Sequence, residues 1–242
     1  MKADVFGEAA ENIYDDLEGV GKVTSLPDDA PHRIVDKMVL AAESETGGKV
    51  KSAIVCPPTI YGLGRGPGNQ RSHQLPELAR CTLEKGYGVQ VNAGKTYWSN
   101  VHVHDLSDLY LKLVEQAAAG GALAVWPDKP AVWGSKGYFF SENGEHVWGN
   151  ISRLVAKEAK KQGLIETDEV KSVSAEEAKQ LTPFGHALWG ANSRSRAKRA
   201  REALKWQPTG AKIEDEIKQA VEAEARTLGL KPGHAKVAAG DA

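Results

Sequence analysis

The stretch Ala53-Ile54-Val55-Cys56 limits the fold more than any other part of the chain. Its apolar residues follow one another without alternation, the pattern of a strand covered on both faces, and Pro57-Pro58 ends it. Ahead of it, Ile34, Val35, Met38, Val39 and Ala42 fall at helical spacing, led in by Asp28, Asp29 and Pro31 and stopped by Gly47 and Gly48. This predicts an amphipathic helix from Arg33 to Ala42 packed on an interior parallel strand. A helix feeding a doubly covered strand means α/β.

Downstream, Gly62, Gly64, Gly66 and Gly68 make Thr59 to Asn69 a loop. Leu75, Leu78, Ala79 and Leu83 then mark a helix ending at Gly86. Val89 to Val91 and Ser99 to Val103 read as strands, with Asp105 as the cap of a helix carrying Leu106, Leu109 and Leu113. Residues 119–136 read as a surface excursion, Tyr138 to Phe140 as a strand and Ile151 to Ala159 as a helix. Ser174 and Glu177 have capping-box spacing, and helices are expected at Arg194 to Leu204 and Ile213 to Leu228. The division is one domain over residues 1–228 and a loose tail over 229–242.

Composition narrows the class. With 242 residues and 41% hydrophobic residues the chain can bury a core, and its net charge of -1 offers no global attraction for nucleic acid or an anionic membrane. Two cysteines, Cys56 and Cys81, leave no zinc spacing and no disulfide scaffold. No signal core or membrane-length apolar run is present, so the expectation is a soluble cytoplasmic protein.

Candidate chemistry is sparse. The glycine loop fits neither G-x-G-x-x-G nor G-x-x-x-x-G-K-[ST], and reads as a turn-rich rim more than as a phosphate cradle. His102, His104 and Asp105 could ligate a metal, but no third and fourth ligands follow, so no metal site is assigned. Arg194, Arg196, Lys198, Arg199 and Arg201 would spread around a helix, which reads as a solvated face.

Three pieces taken together resemble the carboxy-terminal half of an extended short-chain dehydrogenase/reductase of the NAD-dependent epimerase/dehydratase type. They are Ala53-Ile54-Val55-Cys56-Pro57-Pro58-Thr59-Ile60-Tyr61-Gly62, then Ser99-Asn100-Val101-His102-Val103-His104-Asp105-Leu106, then Asn192-Ser193-Arg194 with Ala203-Leu204-Lys205-Trp206-Gln207-Pro208. The resemblance implies a partial Rossmann-like fold, a doubly wound parallel sheet with a smaller carboxy-terminal substrate-side subdomain. It implies NAD or NADP as cofactor, touched by Lys37, Pro58 and Thr59, and a small hydroxyl, carbonyl or nucleotide-sugar-like substrate touched by Tyr61, His102 and Arg194. Lys37 would also be the surviving catalytic residue.

Two departures bear on activity. The 242 residues contain no G-x-x-G-x-x-G turn of the kind that holds the dinucleotide pyrophosphate, and their start resembles the middle of such a protein. The family's Tyr-x-x-x-Lys pair is also missing: four residues after each tyrosine stand Glu18, Arg65, Val91, Val101, Val114 and Glu142. Arg33 occupies the tyrosine position before Lys37, and a guanidinium stays protonated. Weak or absent cofactor binding and impaired catalysis are expected. The alternatives are a regulatory protein that binds a nucleotide or a partner, or a fragment of a longer enzyme. A sheet lacking its first strands would expose an adhesive edge, which predicts self-association or a partner chain.

Overall fold

The computed structural model describes residues 5–120 and 130–231. In chain order the elements are β1 (Tyr14–Asp15), α1 (Val20–Thr24), α2 (Arg33–Glu45), β2 (Ile54–Cys56), β3 (Thr59–Tyr61), α3 (Gln74–Lys85), β4 (Gly88–Val91), β5 (Tyr97–His102) and α4 (Val103–Ala118). Then come β6 (Tyr138–Phe140), β7 (Glu145–Val147), α5 (Trp148–Lys161), β8 (Val170–Val173), α6 (Ala175–Leu181), α7 (Gly185–Gly190), β9 (Ser195–Arg196), α8 (Lys198–Leu204) and α9 (Ile217–Thr227). Part of the expected excursion, residues 121–129, and most of the expected tail, residues 232–242, lie outside the described residues.

The α/β class and its parallel pairing follow the sequence expectation. β2 runs parallel to β6, β3 parallel to β5, and β4 parallel to β8, while β7 adds to β5 in the antiparallel sense. Thr59–Tyr61, expected in a loop, form β3 instead. Pro57 and Pro58 cannot donate to a ladder, but the β-branched and aromatic residues that follow can, and the loop begins at Gly62.

Two apolar cores result. One gathers Leu75 and Leu78 of α3, Val89 and Val91 of β4, Trp148 and Ile151 of α5, and Ile217 and Val221 of α9. The other joins Phe139 of β6, Leu109 of α4, and Ala200 and Leu204 of α8 with Trp206. Helix α3 stops where expected, with Gly86 in the left-handed conformation, and the Ser174–Glu177 capping box starts α6.

The expected packing of the first helix is corrected. α2 forms, but Ile34, Val35 and Met38 are 65%, 59% and 68% exposed, and β2 is half-buried throughout. The face of α2 turned inward carries Asp36, Val39 and Leu40, with Ser52 Oγ donating to the Val39 carbonyl. Among the described residues β2 pairs with β6 alone, which leaves its other edge unpaired.

Candidate site at a change of strand partners

Pro57 and Pro58 mark a change of partner: β2 pairs with β6, and two residues later β3 pairs with β5. On the neighbouring strand the chain does the same, since β6 runs through Ser141 to Gly144 and continues as β7 against β5. Asn100 spans the second crossing, its N–H donating to Gly144 at 3.0 Å and its carbonyl accepting from Asn143 at 2.7 Å. Where neighbouring strands part at their carboxyl ends, an open α/β sheet has its crevice.

The register aligns Thr59 with Asn100 and Tyr61 with His102, so these four side chains share one face of the sheet. Asn100 Nδ2 donates to His146 Nδ1 at 2.9 Å. Thr59 Oγ1, Ser141 Oγ and His146 Nε2 are buried with no partner among the described residues. Burial alone drives His146 down to about 3, so its ring is neutral.

At the far end of the face, Tyr61 donates to the Ala211 carbonyl at 2.7 Å and meets the His102 ring edge-on. His102, not Asp105, caps α4: its Nδ1 accepts from the His104 N–H at 3.2 Å. Burial and the neighbouring His104 hold the His102 imidazole below the ordinary histidine range. Asp105 accepts instead from Thr209 at 2.8 Å and Gly210 at 2.9 Å, and its own carbonyl accepts from Trp206 Nε1 at 2.9 Å. The second and third motifs thus lock together. Gly210 is required there, because a Cβ would stand 2.5 Å from that of His102.

The remaining expected site residues lie elsewhere. Lys37 is half-exposed on α2 and pairs with Asp28 at 2.9 Å. Arg33 donates to the carbonyls of Thr24 and Leu26, which pins the turn before α2. Arg194 holds Glu145 through two bonds of 2.8 and 3.0 Å and stacks over Tyr97. Lys198 is exposed as expected, but two of its basic neighbours depart from a solvated face: Arg199 is buried on the Asp16 carbonyl, and Arg201 reaches Glu142. The acids that hold them stand far away in sequence.

A dinucleotide does not fit this arrangement by itself. Thr59 is wholly buried, Lys37 is engaged with Asp28, and in the glycine loop the Gly64 N–H is already taken by the Gln70 carbonyl at 2.9 Å. Asn100, Ser141, His146 and Glu216 were not singled out from sequence. Alternation through Ser99 to Val103 does put Asn100 on the His102 face, whereas nothing local marks Glu216.

The fold is shared, over part of their length, with NAD-dependent epimerase/dehydratase-type enzymes among the solved structures. The solved chains that share it include dTDP-glucose 4,6-dehydratase from Bacillus anthracis in complex with NAD, at a TM-score of 0.54 and 14% identity over 93% of this chain and 60% of that one. UDP-glucose 4-epimerase from Thermotoga maritima gives 0.52 and 15%, over 93% and 59%. RMD from Pseudomonas aeruginosa, complexed with NADPH, gives 0.53 and 14%, over 93% and 64%. Among curated proteins, Oxidase ucsJ of an Acremonium species is 39% identical over 225 residues, covering 93% of this chain and 65% of that protein. No family model matches the chain. The chain thus spans a little under two thirds of the length of the proteins it resembles.

Proposed function

We propose that this chain forms the substrate side of an NAD(P)-dependent oxidoreductase that works at a hydroxyl or carbonyl carbon of a small molecule. The observation that carries the reading is the double change of strand partners at Pro57-Pro58 and Ser141–Gly144, beside which the buried hydroxyls of Thr59 and Ser141 have no partner among the described residues. Pro58 and Thr59 would face the nicotinamide end, with Lys37 contributing if its pairing with Asp28 opens. Tyr61 and His102 would line the substrate pocket, and Arg194 would steady its rim through Glu145. Two free thiols, Cys56 and Cys81, suit a reducing compartment such as the cytoplasm.

In this reading the chain alone binds NAD or NADP weakly and turns over little, because a general acid typically supplies about 10²–10⁴ in rate and Arg33 cannot act as one. Titration of the 242-residue chain with NADH and NADPH, by fluorescence and calorimetry, tests it. Affinities no tighter than millimolar are expected. Micromolar affinity, or hydride transfer abolished by Lys37→Ala, would contradict it.

The exposed Ile34, Val35 and Met38 beside the unpaired edge of β2 favour one addition: the chain self-associates or takes a partner chain along that edge.

A further inference from the structure

A pocket of about 430 Å³ lies against the carboxyl end of α8 and is lined, among the described residues, by Asn143, Arg201, Lys205, Trp206, Gln207 and Pro208. No carboxylate is in that lining, and its two charged groups are both cations. Arg201 is held in place. Its Nη1 donates to the Ala197 carbonyl at 2.8 Å, its Nη2 donates to the Glu142 carbonyl at 2.9 Å, and the guanidinium lies over the Trp206 ring at 5.2 Å. Those carbonyls take two of its N–H donors and leave others for a ligand.

Lys205 is the less expected member. It ends α8 in the left-handed conformation, with φ at +52°, a position that glycine fills without steric cost. A lysine there keeps a strained backbone for a side chain that is exposed and bonded to no partner among the described residues. The side-chain amides of Asn143 and Gln207 are likewise unengaged among the described residues.

The acids nearby do not cancel this charge. Glu142 is buried behind Arg201, where its Oε1 accepts the Ala197 N–H at 3.0 Å and stands 3.5 Å from Arg201 Nη1. Asp105 spends its carboxylate on the N–H groups of Thr209 and Gly210, and Glu202 is exposed on α8 outside the lining. The carboxyl end of α8 adds about half a negative charge. Against Arg201 and Lys205 together the balance stays positive.

We propose that this pocket binds the phosphoryl group of a small molecule between Arg201 and Lys205, with the amides of Asn143 and Gln207 as further donors. Four donor-bearing side chains exceed what the two oxygens of a carboxylate can use, whereas a phosphoryl group brings three strong acceptors and up to two charges. The site is independent of the oxidoreductase reading, because it uses none of the residues placed at the cofactor or the substrate.

The test needs neither cofactor nor turnover, so its failure is separable from that of the NADH titration. Inorganic phosphate, glycerol 3-phosphate and acetate are titrated into the full chain at neutral pH and constant ionic strength, with binding read from NMR shifts of backbone and side-chain amides. Phosphate shifts the amides of Asn143, Lys205 and Gln207 with a dissociation constant of about 1–10 mM, and acetate binds at least about tenfold more weakly. Lys205→Gly relieves the left-handed backbone and removes the ammonium, so phosphate weakens by about fivefold or more while the thermal midpoint holds or rises. Lys205→Arg keeps the charge and retains the phosphate shifts. Tighter binding of glycerol 3-phosphate than of phosphate makes the ligand a phosphate monoester, and the reverse order makes it free phosphate; both support the site. Unchanged phosphate binding by Lys205→Gly, acetate binding as tight as phosphate, or shifts spread over lysines elsewhere on the surface would overturn the proposal.

Discussion

The two sides of this molecule have similar apolar patterning in sequence and opposite fates in structure. Around α3, α5 and α9 the apolar positions are closed over: Leu78, Val155 and Val221 are fully buried. On α2 the same spacing yields Ile34, Val35 and Met38 in solvent, beside a strand paired on one edge. Periodicity states which face of a helix is apolar; whether that face is covered depends on strands elsewhere. The difference teaches that the same apolar spacing is covered on the closed side and left in solvent on the open side, where we propose a partner or a second copy would sit.

Leu78→Ala should break the closed side, costing about 2–5 kcal/mol in denaturant unfolding, since its surroundings can collapse only in part. The next effect separates the sides by pH. Burial raises Asp16 to about 6 despite bonds from the N–H groups of Phe140, Lys198 and Arg199. The folded state then holds a proton that the unfolded chain has released, so this group makes stability fall as pH rises from about 4 to 6, by up to about 3 kcal/mol. His146, on the closed side, acts in the opposite sense: its depressed value makes stability fall as pH drops below about 6.5. Unfolding profiles of Asp16→Asn and His146→Phe should each lose one of these slopes. Smallest of all, Met38→Ala should change the stability of the lone chain by less than about 0.5 kcal/mol, because its side chain is already in water. A large loss there would show α2 to be packed.

Much of this was legible in the chain. The helices with strong period and marked ends, α3 and α5, came out of local pattern, and the three motifs met in space, the first and second through the pairing of β3 with β5 and the second and third through the bond from Trp206 to the Asp105 carbonyl. What was not legible depended on distant partners. Arg199 looked like a surface residue because Asp16, which lies beside it, is far away in sequence. Thr59 to Tyr61 looked like loop because a three-residue strand after two prolines has no period to detect. In the site, the family resemblance pointed to Tyr61 and His102, but their shared face with Thr59, Asn100 and His146 came from the register of β3, β5 and β7.

Sedimentation velocity of the 242-residue chain, compared with Met38→Asp over a concentration series, tests the contrast most directly. The account predicts mass-action growth beyond the monomer by tens of micromolar for the wild type, reversed by a charge at this exposed position that leaves the fold intact. A sharp wild-type monomer across the series, with cooperative unfolding, would contradict it.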